Sequence, residues 1–262
     1  MLNIIVCIKQ VLDPEAPASA YKIDAEARQV ILKGIPPVIS PFDENALEAA
    51  LRIKDAHESK VTVISMGQNL SKPVLMKSLA VGADELLLLE DSAFQETDSY
   101  ATAFILATAI SKLGQYDLIL TGREAADTNA GSVGAGIAEI LGIPSTTIVR
   151  KIEVNDGKVI AERVVSEGYE VAESPLPSLI TVSNELGELR YATVKQLVAS
   201  RNKPIMTWDA QQLGVDASQM RRARLLRLFI PQKESRCQMV EGETAEEMGA
   251  NLAVKLREAK IL

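Results

Sequence analysis

The chain has 262 residues, of which 47% are hydrophobic and 24% charged, so its composition is that of a globular protein rather than a disordered or fibrous one. Its 35 acidic residues outnumber its 28 basic ones, and the resulting net charge of −7 disfavours nucleic-acid binding, which usually needs a basic surface. At this length we expect one main body with an extension, because domains commonly hold about 100–200 residues.

Few sequence features point to membrane insertion, export or catalysis. The longest apolar runs are well short of the roughly 20 residues that span a bilayer, and the start of the chain carries no signal-peptide pattern. Cys7 and Cys237 form neither a disulfide framework nor a metal-ligand pattern, so we expect a cytoplasmic protein without direct membrane insertion. The single histidine, His57, ends a helical pattern, and we predict no catalytic residue and no metal site.

Strands and helices are predicted to alternate from the start of the chain. Residues 2–8 are typical of a buried, central parallel strand, and residues 21–32 of a small hairpin. Ser40, Pro41 and Asp43 form an N-terminal helix signal, which predicts a helix over 41–57. The following elements are a strand over 61–66, a helix over 71–81, a strand over 85–89, a helix over 98–113, a strand over 118–121 and a helix from about 132. This alternation predicts an α/β fold with a doubly wound, mostly parallel, Rossmann-like sheet.

The pattern changes after Pro144. Two β-branched runs over 146–165 flank Asn155-Asp156-Gly157 and predict a hairpin, and a further strand is expected over 179–183. A short helix near 195–200, a loosely patterned stretch and a final helix capped by Thr244 complete the chain. We therefore predict an α/β nucleotide-binding body over 1–183, which includes the hairpin, and an arm over 184–262.

Ligands of doubly wound sheets bind at the carboxyl ends of the strands. This rule selects the loops at 7–9, 65–67 and 122–134, the last of which is rich in small and hydroxylated residues. Gly131 and Gly134 allow close backbone approach, so the loop is either a phosphate cradle or a glycine-rich turn that only caps a helix. Asp127 in this loop either contacts the ligand or caps the loop backbone.

Several segments, taken in order, resemble the beta subunit of electron-transfer flavoproteins over almost the whole chain. They are residues 6–11 (VCIKQV), 40–50 (SPFDENALEAA), 116–122 (YDLILTG), 163–170 (RVVSEGYE) with 176–182 (LPSLITV), and 190–193 (RYAT). The resemblance implies an electron carrier rather than an enzyme, paired with an alpha subunit that holds the redox-active FAD. The beta subunit itself then binds AMP or, in electron-bifurcating, NADH-dependent relatives, a second FAD.

The resemblance implies a nucleotide site at the same strand-end loops. The residues that these two routes give together are Cys7, Lys9, Ser40, Pro41, Phe42, Asp43, Met66, Gly67, Gly122, Arg123, Glu124, Ala125, Ala126, Asp127, Thr128, Asn129, Ala130, Gly131, Ser132, Val133 and Gly134. AMP-holding members carry Asn-Gln-Thr where this chain has residues 131–133, whereas Val133-Gly134 is closer to members with a second flavin. AMP and FAD both remain open.

The resemblance also implies partners. A recognition loop over about 184–201 would dock acyl-CoA dehydrogenases and related flavin dehydrogenases, through Arg190, Tyr191, Ala192, Thr193, Val194 and Lys195. The electrons would pass to a quinone oxidoreductase or a similar acceptor, and the arm would wrap the alpha subunit. Val194 stands where dehydrogenase-binding members carry a longer leucine.

A different class of function uses a similar sheet. The alternative is a stand-alone adenine-nucleotide-binding enzyme, such as an ATP pyrophosphatase, or an ATP sensor. A pyrophosphatase carries Ser-Gly-Gly-x-Asp-Ser after the first strand, where this chain has Lys9-Gln10-Val11-Leu12-Asp13, and a sensor does not need the arm. A carrier subunit should purify with a yellow partner of similar size, whereas a sensor should purify alone or as a homodimer.

Overall fold

The computed structural model describes residues 1–231 and 237–262, and strands and helices alternate as predicted through residue 141. In chain order the elements of this part are β1 (Leu2–Ile8), β2 (Gln10–Val11), β3 (Tyr21–Asp24), β4 (Gln29–Leu32), β5 (Val38–Ile39), α1 (Pro41–Ala56), β6 (Ser59–Gly67), α2 (Lys72–Val81), β7 (Glu85–Glu90), α3 (Ser99–Leu113), β8 (Leu118–Gly122) and α4 (Val133–Leu141). The rest comprises β9 (Ser145–Asn155), β10 (Lys158–Val165), β11 (Gly168–Pro175), β12 (Ser178–Val182), α5 (Val194–Ser200), β13 (Ile205–Trp208), α6 (Ala210–Leu213), α7 (Ala217–Met220) and α8 (Ala245–Glu258).

One large sheet organises the molecule. Within the described residues it has nine strands in the order β11-β10-β9-β12-β8-β1-β6-β7-β13. All neighbouring pairs are parallel except β9 with β10 and β10 with β11, which are antiparallel. Strand β1 lies between β6 and β8, so the predicted central strand and the mostly parallel α/β fold are confirmed.

Helices cover both faces of the sheet. Successive side chains of a strand point to opposite faces. Accordingly Val6 of β1 belongs to one apolar cluster with Leu47 of α1 and Leu75 of α2, whereas Ile5 belongs to a second cluster with Ile105 of α3 and Ile137 of α4. Since both faces of β1 are buried, its sequence is a continuous apolar run rather than an alternating one.

By its internal contacts the chain divides into Met1–Leu226 and Arg227–Leu262, while the division expected at residue 183 stays a prediction. Residues 205–208, expected to belong to the arm, form β13 and pair in parallel with β7. Pairing with β13 supplies hydrogen-bond partners along an edge of β7 that would otherwise be open. Strand β11, which was not predicted, extends the hairpin of β9 and β10 to three strands.

The second unit, Arg227–Leu262, contains the predicted final helix, α8. The Thr244 hydroxyl accepts a hydrogen bond from the backbone N–H of Glu247, as expected of an N-cap residue. No residue of α8 is buried, and the side chains of Met248, Leu252 and Val254 are exposed. These three apolar side chains are therefore left uncovered by the residues that the structure describes.

Candidate functional site

The candidate site lies where the order of the sheet reverses. The chain runs outward from β1 through β6 and β7, and then returns to β8 on the other side of β1. Cys7 of β1 is in register with Ile64 of β6 and with Thr121 of β8, so the three strands end side by side. In open parallel sheets, such a switch point is where ligands bind.

A buried carboxylate joins two of these strand ends. Asp43 lies in the first turn of α1, and its two oxygens accept hydrogen bonds from the backbone N–H groups of Lys9 at 2.8 Å and Gly122 at 3.0 Å. The backbone N–H of Ser40 donates to the carbonyl of Lys9 at 2.8 Å. A Cβ atom on Gly122 would lie 2.5 Å from Asp43 Oδ1 and 2.7 Å from the carbonyl carbon of Phe42. The start of α1 is thus fixed against the ends of β1 and β8, and only glycine fits at position 122.

Burial also sets the protonation of two groups in this region. It raises the pKa of Asp43 to about 7, although the backbone N–H groups of Lys9 and Gly122 act in the opposite direction. Burial, with a smaller contribution from the charge of Asp43, raises the pKa of the Cys7 thiol to about 12. Cys7 therefore stays a neutral thiol and is not a nucleophile.

The loop after β8 contacts the residues around the start of α1. Lys9 Nζ lies 2.7 Å from Asp127 Oδ1, and the backbone N–H of Ala126 donates to Ser40 Oγ at 3.4 Å. The Arg123 guanidinium lies over the Phe42 ring, 4.8 Å from its centroid. The contact found for the Asp127 carboxylate is thus with an ammonium group, which leaves its role towards a ligand as a prediction.

The loop ends at an uncapped helix. Helix α4 follows Ser132, whose side chain makes no capping hydrogen bond. The first N–H groups of a helix have no partner within the helix and carry the positive end of its dipole, so they suit an anion. Gly134 lies in this first turn, and a Cβ atom there would lie 2.7 Å from both Thr121 Oγ1 and Thr181 Cγ2. Glycine is needed here for close packing of the helix on β8 and β12.

The remaining residues predicted for the site differ in the hydrogen bonds that they make. Met66 and Gly67 end β6 beside the site, but within the described chain no hydrogen bond is found between them and residues 122–134. The N–H groups of Thr128 and Asn129 donate to the carbonyl of Ala125 and so shape the loop itself. The other predicted members, which lie along this loop, are Glu124, Ala130, Gly131 and Val133.

The residues predicted to meet a partner lie elsewhere on the first unit. The side chains of Tyr191 and Val194 are exposed, whereas Arg190 is bound to Glu48 and Asp55. Sequence reasoning missed Glu48, an acid within the apolar face of α1. The sequence does carry a signal for Glu48: it is an acidic residue next to the apolar Leu47, and Arg52 follows four positions later. A buried charge requires a partner, and this spacing places a basic residue on the same side of the helix.

The described residues offer neither a metal-ligand cluster nor a membrane-spanning helix. No group of three or more His, Cys, Asp or Glu side chains there could hold a metal ion. None of the helices in this part of the chain combines the length and apolar character needed to cross a membrane.

Comparison with known proteins identifies the family. Residues 29–213 match the model of the electron transfer flavoprotein domain. The chain is 37% identical to the caffeyl-CoA reductase-Etf complex subunit CarD of Acetobacterium woodii, over the full length of both. It is 43% identical to the electron transfer flavoprotein subunit beta of Thermoanaerobacterium thermosaccharolyticum, over 84% of this chain and 83% of that protein. Protein FixA of Azorhizobium caulinodans is 35% identical, over 82% of this chain and 78% of its own. The chain belongs to the electron transfer flavoprotein beta-subunit family.

Proposed function

We propose that this chain is the beta subunit of a heterodimeric electron-transfer flavoprotein. It would carry electrons from flavin dehydrogenases, such as acyl-CoA dehydrogenases, to a quinone oxidoreductase or a similar acceptor. The observation that carries the proposal is the site of Lys9, Asp43 and Gly122 at the switch point, in a chain whose relatives are named as electron-transfer subunits. One of these relatives is named as part of a complex, which supports an alpha-type partner for this chain.

The site has the donors that an adenine nucleotide needs. Its phosphates would be held by the first N–H groups of α4, which lack a side-chain cap, and by the ammonium group of Lys9. Arg123 adds a second cation near the start of the loop. An AMP bound there would be structural, whereas a second FAD would supply a redox centre.

The protein's own part in this function is placement rather than chemistry. Electrons pass between bound cofactors, so the chain needs no acid–base pair to move them. Cys7 remains a neutral thiol, and Asp43 uses both of its oxygens to hold the backbone of Lys9 and Gly122. These groups fix the strand ends around the nucleotide.

The experiment is co-expression with the alpha-type partner, followed by denaturation and chromatographic quantification of FAD and AMP. One FAD and one AMP per heterodimer would support a single-flavin carrier. Two FAD and no AMP would make residues 122–134 the seat of a second flavin, as expected of a bifurcating complex. Absence of both flavin and partner would contradict the proposal and favour the stand-alone nucleotide-binding protein, for which ATP turnover is the next assay.

A matched pair of lysine variants tests the location of the nucleotide. Lys9→Met removes the cation that pairs with Asp127 at 2.7 Å, and we expect the nucleotide of this subunit to fall to less than half, while the FAD of the partner stays. Lys60→Met is the control, because Lys60 is equally exposed and pairs with Glu85 at 2.8 Å at the opposite end of β6. Equal nucleotide loss in both variants would contradict the assigned location.

A further inference from the structure

Glu48 is a buried acid whose carboxylate is hydrogen-bonded to Arg190 and to Arg52 of its own helix. It lies on α1, and its side chain is only 7% exposed. Its carboxylate accepts hydrogen bonds from the Arg190 backbone N–H at 3.1 Å, from Arg190 Nε and Nη2 at 3.0 Å each, and from Arg52 Nε at 3.1 Å. Burial acts to raise the pKa of Glu48, but these donors outweigh it and the pKa lies below its ordinary value. The carboxylate is therefore charged and bound.

The same helix holds the residues just before Arg190. Asn45 Nδ2 donates to the carbonyl of Gly187 at 2.6 Å, and Arg52 Nη1 donates to the carbonyl of Leu186 at 2.8 Å. Arg190 Nη2 also lies 2.8 Å from Asp55 Oδ2. The backbone over 186–190 is thus fastened to successive turns of a single 16-residue helix.

Residues 191–200, which we call the docking segment, differ sharply from the backbone that precedes them. The side chain of Tyr191 is 92% exposed and that of Val194 is 78% exposed. A groove of about 520 Å³ is lined by residues of this segment and of α2, among them Met76 and Leu197, and α5 also contacts α2. Beyond the segment, Lys203 Nζ donates to the carbonyls of Leu79 and Ala83 at the end of α2. The segment is therefore tied at its two ends, and between them α5 lies against α2 while the side chains of Tyr191 and Val194 stay exposed.

We propose that Glu48 is a positioning residue for partner binding, because through Arg190 it fixes where the docking segment meets the electron-donating dehydrogenase. This inference rests on the proposed function for the identity of the partner, but not for the role of Glu48 within the chain. In this arrangement the side chain of Arg190 binds Glu48 and so links α1 to the docking segment. The exposed side chains of Tyr191 and Val194 contact the partner.

The physical reason is pre-organisation. The part of the segment around Tyr191 and Val194 is exposed, so the attachment at Arg190 adds to the contact of α5 with α2 in limiting the freedom that is lost when a partner binds. A guanidinium bound by two nitrogens to one carboxylate has a fixed geometry, which a single hydrogen bond does not provide. Weakening this attachment should reduce partner affinity without changing electron transfer once the complex has formed.

The test uses the heterodimer with Glu48→Gln in this chain. We expect hydrogen exchange, measured by mass spectrometry, to become about tenfold faster over residues 187–200 and to stay unchanged over residues 122–134. With an acyl-CoA dehydrogenase as electron donor, KM for the heterodimer should rise about fivefold while kcat stays within about twofold. A merely structural role would leave KM unchanged once the folded fraction is taken into account.

Two further variants keep the proposal falsifiable. Arg190→Lys retains the charge but loses the two-nitrogen contact, so it should fold and give an intermediate KM. Glu162→Gln is the control, because it breaks the comparable pair of Glu162 with Arg150 at 3.1 Å on β9 and β10, away from the docking segment. It should leave both KM and exchange over 187–200 unchanged.

The outcomes distinguish the positioning role of Glu48 from the identity of the electron donor. Unchanged exchange over 187–200 in Glu48→Gln, or faster exchange with an unchanged KM, would overturn the positioning role. Failure of an acyl-CoA dehydrogenase to reduce even the unmodified heterodimer would contradict the proposed donor instead. In that case the comparison of exchange and KM among Glu48→Gln, Arg190→Lys and Glu162→Gln is made with the flavin dehydrogenase that does reduce the heterodimer.

Discussion

The candidate site at the switch point and the docking segment are both attached to α1, but by different kinds of contact. At the start of the helix, Asp43 binds the backbone N–H groups of Lys9 and Gly122. In the middle of the helix, Glu48 binds the side chain of Arg190 as well as its backbone. One helix thus carries a backbone-based attachment and a side-chain-based one.

This difference determines which substitutions each region tolerates. Every non-proline residue offers a backbone N–H, so the site around Asp43 depends on the space left by glycine and on the carboxylate itself. The attachment of Arg190 depends on a particular side chain, since lysine has no planar fork. Substitutions at the site should therefore affect stability, whereas those on the docking segment should affect partner affinity.

The largest expected effect comes from Gly122→Ala. The added Cβ would lie 2.5 Å from Asp43 Oδ1 and 2.7 Å from the Phe42 backbone, so it would displace the start of α1. We expect the free energy of unfolding to fall by about 3 kcal/mol, measured by urea denaturation. Gly249→Ala on α8 is the control, because no atom of the described residues outside its own helix backbone and chain neighbours lies within 4 Å of its added Cβ. A loss below about 1 kcal/mol for Gly122→Ala would show that the strand ends are loosely packed.

Asp43→Asn should change the pH dependence of stability. Because burial raises the pKa of Asp43 from 3.8 to about 7, the folded protein keeps a proton that the unfolded chain releases. Its contribution to stability is therefore fully present below about pH 4 and is lost as pH rises through about 7. We expect the urea midpoint of the unmodified protein to fall over this range and that of Asp43→Asn to lose most of this slope.

The control for this prediction is Asp98→Asn. Burial acts to raise the pKa of Asp98, but backbone N–H groups, among them that of Ala101 in the first turn of α3, outweigh it, so the pKa lies below its ordinary value. This carboxylate contributes stability above its ordinary pKa and loses it as pH falls, which is the opposite direction. Asp98→Asn should keep the decline between pH 4 and 7, and equal slopes in unmodified protein and Asp43→Asn would contradict the assignment to Asp43.

The smallest expected effect comes from Val194→Leu on the docking segment. The substitution adds one methylene group, worth about 0.8 kcal/mol when buried by a partner. KM for an acyl-CoA dehydrogenase should fall about fourfold, with no change in thermal stability because the side chain is exposed in the subunit. Val171→Leu on β11, which is similarly exposed, should change neither quantity. An unchanged KM in Val194→Leu would place the partner contact elsewhere.

Much of the fold was predictable because its signals are local. The apolar run of β1, the Ser40-Pro41 helix start and the Asn155-Asp156-Gly157 turn were each interpreted correctly. β13 was missed because Ile205–Trp208 has only four residues, too few to show a clear period, and it becomes a strand by pairing with β7. The candidate loops were found by the strand-end rule, but the pairing of Lys9 with Asp127 was not, since they are 118 positions apart.

By itself, the sequence determined most of the succession of elements, the mostly parallel sheet and the family to which the chain belongs. Only the tertiary structure decided that Asp43 holds two strand ends and that Glu48 holds Arg190. The physical reason is the separation along the sequence of the residues that interact. Periodicity and capping depend on residues a few positions apart, whereas a buried carboxylate is satisfied by whichever donors the fold brings to it.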